Sequence, residues 1–186
     1  MTTNGAHQTH QHTITALVMD HPGVLNRVAS MFRRRGFNIA SLAVGASEIP
    51  GQSRMTFVVN GDDATVEQVT KQLRKIIEVV KVNDLSHEDI VARELALVKV
   101  KTPSADSRAE VIQIVELFRA KVIDVGADTV TIEITGDESK IASIMTLLKG
   151  FGVVEVMRTG RVAMSRGKKA PVRATANSAK SKASKT

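Results

Sequence analysis

Residues 61–80 read GDDATVEQVTKQLRKIIEVV, and residues 136–154 read GDESKIASIMTLLKGFGVV. In both stretches a Gly is followed by an acidic pair where a helix takes its N-cap, then by aliphatic residues at helical spacing, then by a Val-Val pair. The pairs begin at Val79 and Val153, 18 and 17 residues after Gly61 and Gly136. One unit is therefore written twice along the chain.

Upstream of the first copy, residues 13–19 read as a strand, and residues 23–35 as a helix with Val24, Leu25, Val28, Met31 and Phe32 on one side and Gly36 as its stop. A strand over 38–44, a loop over 45–53 with Pro50 and Gly51, and a strand on which Met55, Phe57 and Val59 alternate come next. The helix capped by Asp62 or Asp63 has the apolar face Val66, Val69, Leu73, Ile76 and Ile77, and Val79, Val80 and Val82 return as a strand. The second unit repeats this order, with strands expected at 95–101, 122–125, 129–135 and from Val153. Its helices carry Val111, Ile114, Val115 and Phe118, then Ile141, Ile144, Met145 and Leu148. The fold class expected is α+β, two tandem ferredoxin-like βαββαβ domains. The divisions are a polar tail over 1–11, a first domain over 12–86, a linker over 87–94, a second domain over 95–166 and a disordered basic tail over 167–186.

Composition narrows the function. The 186 residues include 26 Lys plus Arg against 19 Asp plus Glu, a formal charge of +7 that first suggests nucleic acid. Seven of the basic residues, from Arg166 to Lys185, lie in the last 21 residues with no acidic one among them, which leaves the preceding body neutral. No Tyr, no Trp and five Phe offer few rings for base stacking. Zero Cys excludes disulfides, zinc-thiolate sites and cysteine nucleophiles. No apolar run approaches the roughly 18 residues of a membrane helix, and the polar start is no secretory signal, so a soluble cytoplasmic protein without a membrane partner is expected.

Two features distinguish the halves. The loop around Glu48, Ile49, Pro50, Gly51 and Gln52 has no counterpart in the second half, and the turn before the first helix is Asp20-His21-Pro22-Gly23 in one half and Thr102-Pro103-Ser104-Ala105-Asp106 in the other. Gly23 at a helix start lets backbone N–H groups approach a carboxylate, Asp20 suits an ammonium, and Asn38 at the neighbouring strand supplies a donor and an acceptor. On the bare pattern D-x-x-G, a strand-to-helix turn with Asp as its cap is the simpler reading. His7, His10 and His12 alternate but fall in the polar terminus without carboxylates, which reads as tail and not as a metal site. Arg33, Arg34 and Arg35 close a helix, where cations suit the dipole. Asp62-Asp63 and Glu88-Asp89 are adjacent pairs, unsuited to acid–base work on one substrate.

The stretches 20–28 (DHPGVLNRV), 35–42 (RGFNIASL), 53–56 (SRMT) and 93–100 (RELALVKV) resemble the small, regulatory subunit family of acetolactate synthase, over about residues 14–167. The D-x-x-G-x-L stretch alone resembles only an ACT domain, a ligand-sensing module. The family resemblance implies a chain with no catalytic residues of its own. Such a chain activates a separate catalytic subunit in valine, leucine and isoleucine synthesis and confers feedback inhibition by branched-chain amino acids. It implies a homodimer in which valine sits between ACT domains of two subunits, at positions carried over as Asp20, Gly23, Val24, Leu25, Asn38 and Ile39. Some members carry Asn where this chain has Asp20. Thiamine diphosphate, Mg2+ and FAD are implied on the catalytic subunit, with no cofactor on this chain. The loop 48–52 is the candidate contact with that subunit; as a plain sequence feature it is equally a solvated hairpin tip. The alternative from another class is a free-standing ACT-type sensor acting on DNA through the basic tail, an affinity that seven charges would leave weak and salt-dependent.

Overall fold

The structure, a computed structural model, describes residues 10–167. Most of the polar terminus and, apart from Gly167, the whole basic tail lie outside the described residues. The first half runs β1 (His10–Met19), α1 (Val24–Arg35), β2 (Ile39–Ala46), β3 (Gln52–Gly61), α2 (Asp63–Leu73), β4 (Val79–Asp84). The second runs β5 (Ile90–Lys101), α3 (Ala105–Leu117), β6 (Lys121–Val125), β7 (Thr129–Gly136), α4 (Glu138–Leu148), β8 (Val153–Arg158), and a further strand β9 (Val162–Ser165). The sheets have the orders β2-β3-β1-β4 and β6-β7-β5-β8, the same topology twice, antiparallel throughout. This is the expected pair of ferredoxin-like units.

The repeated Gly-Asp signature has a steric and a capping cause. Asp62 accepts from the Thr65 amide at 2.8 Å, and Asp137 from the Lys140 amide at 2.8 Å, each as the N-cap of its helix. A Cβ at Gly61 would come within 2.7 Å of the Thr65 side chain, and one at Gly136 within 2.5 Å of Lys140. Each helix therefore folds back over the strand end only where the strand's last residue lacks a side chain. Inside, Ile14, Ala16, Val18, Phe57, Val59, Val69 and Leu73 form the first core, and Phe32 stacks on Phe57 with centroids 5.2 Å apart. Ala96, Val98, Val100, Ile132, Ile134, Ile141, Ile144 and Leu148 form the second.

Several expectations are corrected. The helix with Ile76 and Ile77 on its face ends at Leu73; a turn succeeds it in which the Ile76 amide bonds Leu73 and the Val79 amide bonds Ile76, so Ile76 packs on the core while Ile77 is 94% exposed. His10 and His12 do not lie in a tail. They begin β1, and the buried His12 ring donates from Nε2 to the Gly61 carbonyl at 3.1 Å; His7 is outside the described residues. The linker expected over 87–94 is largely strand: Ile90–Arg93 form the first part of β5 and pair with β9, while Glu94–Lys101 pair with β7. The two-stranded ribbon so formed reaches the face of the first sheet opposite its helices, and on that face Thr13, Thr15, Leu17, Thr56 and Val58 are all buried.

Phe57→Ala is expected to lower unfolding stability by about 3–5 kcal/mol, and Asp62→Ala by about 1 kcal/mol, in urea titrations followed by circular dichroism. Equal costs for the two would contradict this division between core and cap.

Candidate functional site

The end of the first sheet where β1 leaves for α1 is built from three segments. Gly23 takes a left-handed backbone, φ 92°, and starts α1 with no side-chain cap, so no side-chain oxygen meets the N–H groups of the first turn. The Val24 amide reaches the His21 carbonyl only at 3.4 Å. At the equivalent place in the second half, Ser104 and Ser107 close a reciprocal capping box on α3. Of these two helix starts, the one in the first half is open to an anion.

Asp20 is exposed beside this terminus, and its amide donates to the Gly51 carbonyl at 2.8 Å. Val24 is buried in the core; Leu25, 47% exposed, and Met19, 40% exposed, leave aliphatic surface next to the turn. The loop 48–52 is fastened to the same end. Glu48 accepts two bonds from Arg54, at 2.8 and 2.9 Å, the Ser47 hydroxyl and the Ile49 backbone bond each other, and the Gln52 amide donates to Ile49 at 3.1 Å. The candidate ligand turn and the candidate contact loop thus share one hydrogen bond, Asp20 to Gly51.

Asn38 and Ile39 lie elsewhere. β1 and β2 flank β3 and run the same way: Ile39 is level with Val59, which faces His12, whereas Ala46 is level with Ser53, which faces Val18. Six strand residues, about 20 Å, separate the Asn38 end from the Gly23 end. Within one chain the structure brings together Asp20, Gly23, Val24, Leu25 and residues 48–52, and does not bring Asn38 or Ile39 to them. Asn38 is exposed, and Ile39 packs against the core.

Sequence reasoning missed the residues that hold the turn from behind. Glu78, 7% exposed, accepts from Arg27 of α1 in an ion pair, and its carbonyl accepts the Met19 amide at 2.8 Å. The available signal was Arg27, one helical turn after Gly23. Gln52 Oε1, on the strand residue level with Met19, is a buried acceptor with no donor among the described residues. Among the described residues no group of three or more His, Cys, Asp and Glu is placed to hold a metal ion, and no helix is long and apolar enough to cross a membrane.

The Glu48 carboxyl is held below the usual carboxylate range, first by its own backbone N–H and then by Arg54. A depressed value means that the pair's contribution is complete above the unfolded value of about 4.3 and is lost as pH falls through the lower folded one. Arg54→Ala at neutral pH is expected to speed hydrogen exchange at Asp20 and Gln52 while hardly moving the melting temperature, because the pair is exposed. An unchanged exchange rate at Asp20 would show that the loop does not brace the turn.

Comparison with known proteins points to one family. Residues 14–81 match the family described as the acetohydroxyacid synthase (AHAS) small subunit-like ACT domain, and residues 93–167 match the family described as the small subunit of acetolactate synthase. The probable acetolactate synthase small subunit of Methanothermobacter thermautotrophicus is 53% identical over 156 residues, covering 84% of this chain and 93% of its own. The acetolactate synthase small subunit of Aquifex aeolicus is 52% identical over 159 residues, covering 86% and 83%. The crystal structure of the acetolactate synthase small subunit from Thermotoga maritima superposes with a TM-score of 0.79 at 46% identity, covering 86% of this chain and 99% of that one. With both halves matched and about half of the residues identical, the chain belongs to the family of acetolactate synthase small, regulatory subunits.

Proposed function

We propose that this chain raises the turnover of an acetolactate synthase catalytic subunit and makes it sensitive to valine, bound between the ACT domains of two copies. The observation that carries the reading is the distance between the two parts of the candidate site. An open helix N-terminus and Asn38 sit at opposite ends of one sheet, and the strand between them, β2, is an edge of that sheet with no further strand beside it among the described residues. Antiparallel pairing of β2 with β2 of a second copy, about an axis between Leu42 and Ala43, sets Ile39 opposite Ala46 of the partner. The Asn38 end of one copy then meets the Asp20–Gly23 end of the other, and two equivalent sites form. An unpaired eight-residue edge also has reason to be covered.

In such a site the α1 N-terminus takes the effector's carboxylate, Asp20 its ammonium, and Leu25 its aliphatic side chain, with Asn38 and Ile39 supplied by the second copy. The affinity asked for is modest: a dissociation constant near 100 µM corresponds to about −5.5 kcal/mol. Because the ligand touches two chains, it stabilises one packing of the pair, and inhibition draws on that difference. The loop 48–52, braced by Arg54 beside the site, is the contact with the catalytic subunit. That subunit carries the family's cofactors, thiamine diphosphate, Mg2+ and FAD, and condenses two pyruvates or pyruvate with 2-oxobutanoate, a transferase reaction of the cytoplasm. The effector site belongs to residues 12–86 and a related unit to 95–166. A free-standing regulator acting on DNA draws no support from either family match.

Reconstitution with the catalytic subunit is expected to give activation by this chain and inhibition by valine; neither effect would overturn the reading. Asn38→Ala is expected to abolish valine inhibition and spare activation. Mixing Asn38→Ala with Gly23→Val chains is expected to restore one valine site in each mixed pair, read by calorimetry, since the two lesions then share one site and leave the other whole. A site built within one chain would show no recovery. Replacing 48–52 by a short Gly-Ser turn is expected to weaken activation and leave valine binding in place, read by activation titrations and calorimetry.

A further inference from the structure

The two halves meet at one place where backbone and side chain are both fixed. Gly160, between β8 and β9, has φ +78°, and a Cβ there would stand 2.5 Å from Ser41 Oγ and 3.4 Å from the Leu42 carbonyl oxygen of β2. The next amide, that of Arg161, donates to Ser41 Oγ at 3.0 Å. The Arg161 guanidinium then donates to Thr13 Oγ1 at 3.1 Å and Gln11 Oε1 at 3.2 Å, both on β1, and forms an ion pair with Glu138, the first residue of α4 in the other half. One residue is thus bonded to β1, to β2 and to the start of α4, with its side chain 21% exposed.

The local geometry of β2 bears on this contact. Its pairing with β3 slips between Ile39, level with Val59, and Ser41, level with Val58, so Ala40 is an extra residue, a bulge. The bulge separates Asn38 and Ile39 from Ser41, and bulges redirect the side chain that comes after them. A cleft of about 330 Å³ bounded by Gln11, Ser41, Glu138, Arg158 and Arg161 adjoins the contact and leaves room for it to shift. Inside that cleft Glu94, 8% exposed, is held by Arg158 at 2.6 and 2.7 Å, a pair wholly within the second half. Arg161, by contrast, bonds with its side chain to residues of both halves.

We infer that Gly160, Arg161 and Ser41 form a clasp that couples the position of β2 to the second half, so that a change at Asn38 and Ile39 is passed to α4 and the β5–β9 ribbon. The inference rests on the reading that the start of β2 belongs to the effector site. Arg161 is a positioning residue in it; it does not touch the effector. The physical basis is that two packed elements with a fixed steric contact and a shared hydrogen-bond set move together or exchange one set for another. Contiguity alone is not coupling, so the test must perturb one side and read the other.

Arg161→Gln and Ser41→Ala are compared with the unaltered full-length chain in the reconstituted complex, Ser41→Ala being the smaller lesion should Arg161→Gln fold poorly. Valine binding is measured by calorimetry, inhibition by turnover, and motion by hydrogen exchange. Expected are valine binding within about twofold of the unaltered chain, a valine half-inhibition raised about tenfold or more, and faster exchange both in β2 and in the first turn of α4. Glu138→Gln, a change confined to the second half, is expected to speed exchange in β2. Unchanged inhibition together with unchanged β2 exchange overturns the clasp, as does inhibition lost only in step with binding. Absence of valine binding by the unaltered chain overturns the effector reading instead, and the response of β2 to Glu138→Gln then decides the clasp by itself.

Discussion

Seven consecutive residues of β1, His12 to Val18, are buried, which requires that both faces of the first sheet be covered. One helical layer covers only one. The second cover is the ribbon made by the beginning of β5 and by β9, and much of what distinguishes this molecule from two independent units depends on it. Because β5 is continuous from Ile90 to Lys101, the same strand belongs to the ribbon and to the centre of the second sheet. Separating the halves would leave that strand's pairings with β7, β8 and β9 intact and would uncover the buried face of the first sheet. The face that the ribbon covers carries Thr13, Thr15 and Thr56 beside Leu17 and Val58, residues whose β-branched or aliphatic bodies pack there, and the Thr13 hydroxyl accepts from Arg161.

The same constraint decides what was legible. Periodicity gave the two cores and the order of elements, because inward residues repeat every two or every 3.6 positions whatever lies on the far side. Asp62 and Asp137 were readable as caps because a cap is a contact across three residues. Ile77 was misread because the aliphatic spacing of Ile76 and Ile77 continues the helical pattern past the point where the chain turns into β4. His12 looked like tail for a related reason: a polar residue at a strand start gives no periodic signal, and its partner, the Gly61 carbonyl, is 49 residues away. The strand β9 is four residues of alternating exposure, and it exists through its pairing with Ile90–Arg93.

The candidate site was half legible. Asp20, Gly23 and Leu25 are neighbours in sequence and in space, so their common turn could be read directly. The relation of Asn38 to them could not, since it depends on sheet order, which puts it at the opposite end of the sheet, and, in the proposed site, on a second copy. Ser41 and Arg161 are 120 residues apart, and neither carries a motif; only the fold puts them in contact. Arg27 stood in plain view on α1, yet its role requires knowing that Glu78 is buried beneath it.

The two halves share one topology but differ at the turn where the effector site is proposed. The backbone contacts at the strand-to-helix turn are matched, with Asp20 donating to Gly51 at 2.8 Å in the first half and Thr102 donating to Asp128 at 2.7 Å in the second. The halves diverge beyond that bond. In the first half Gly23 opens α1 without a cap, and the β2–β3 loop is long enough to be braced by the Glu48–Arg54 pair; in the second, Ser104 satisfies the helix terminus internally, and the corresponding loop is short. A helix N-terminus already supplied with a hydroxyl has little to gain from a carboxylate, so the α3 start offers no counterpart of the proposed site. The second half is joined through Glu138 and Arg161 to Ser41 of β2, the strand whose start lies next to Asn38.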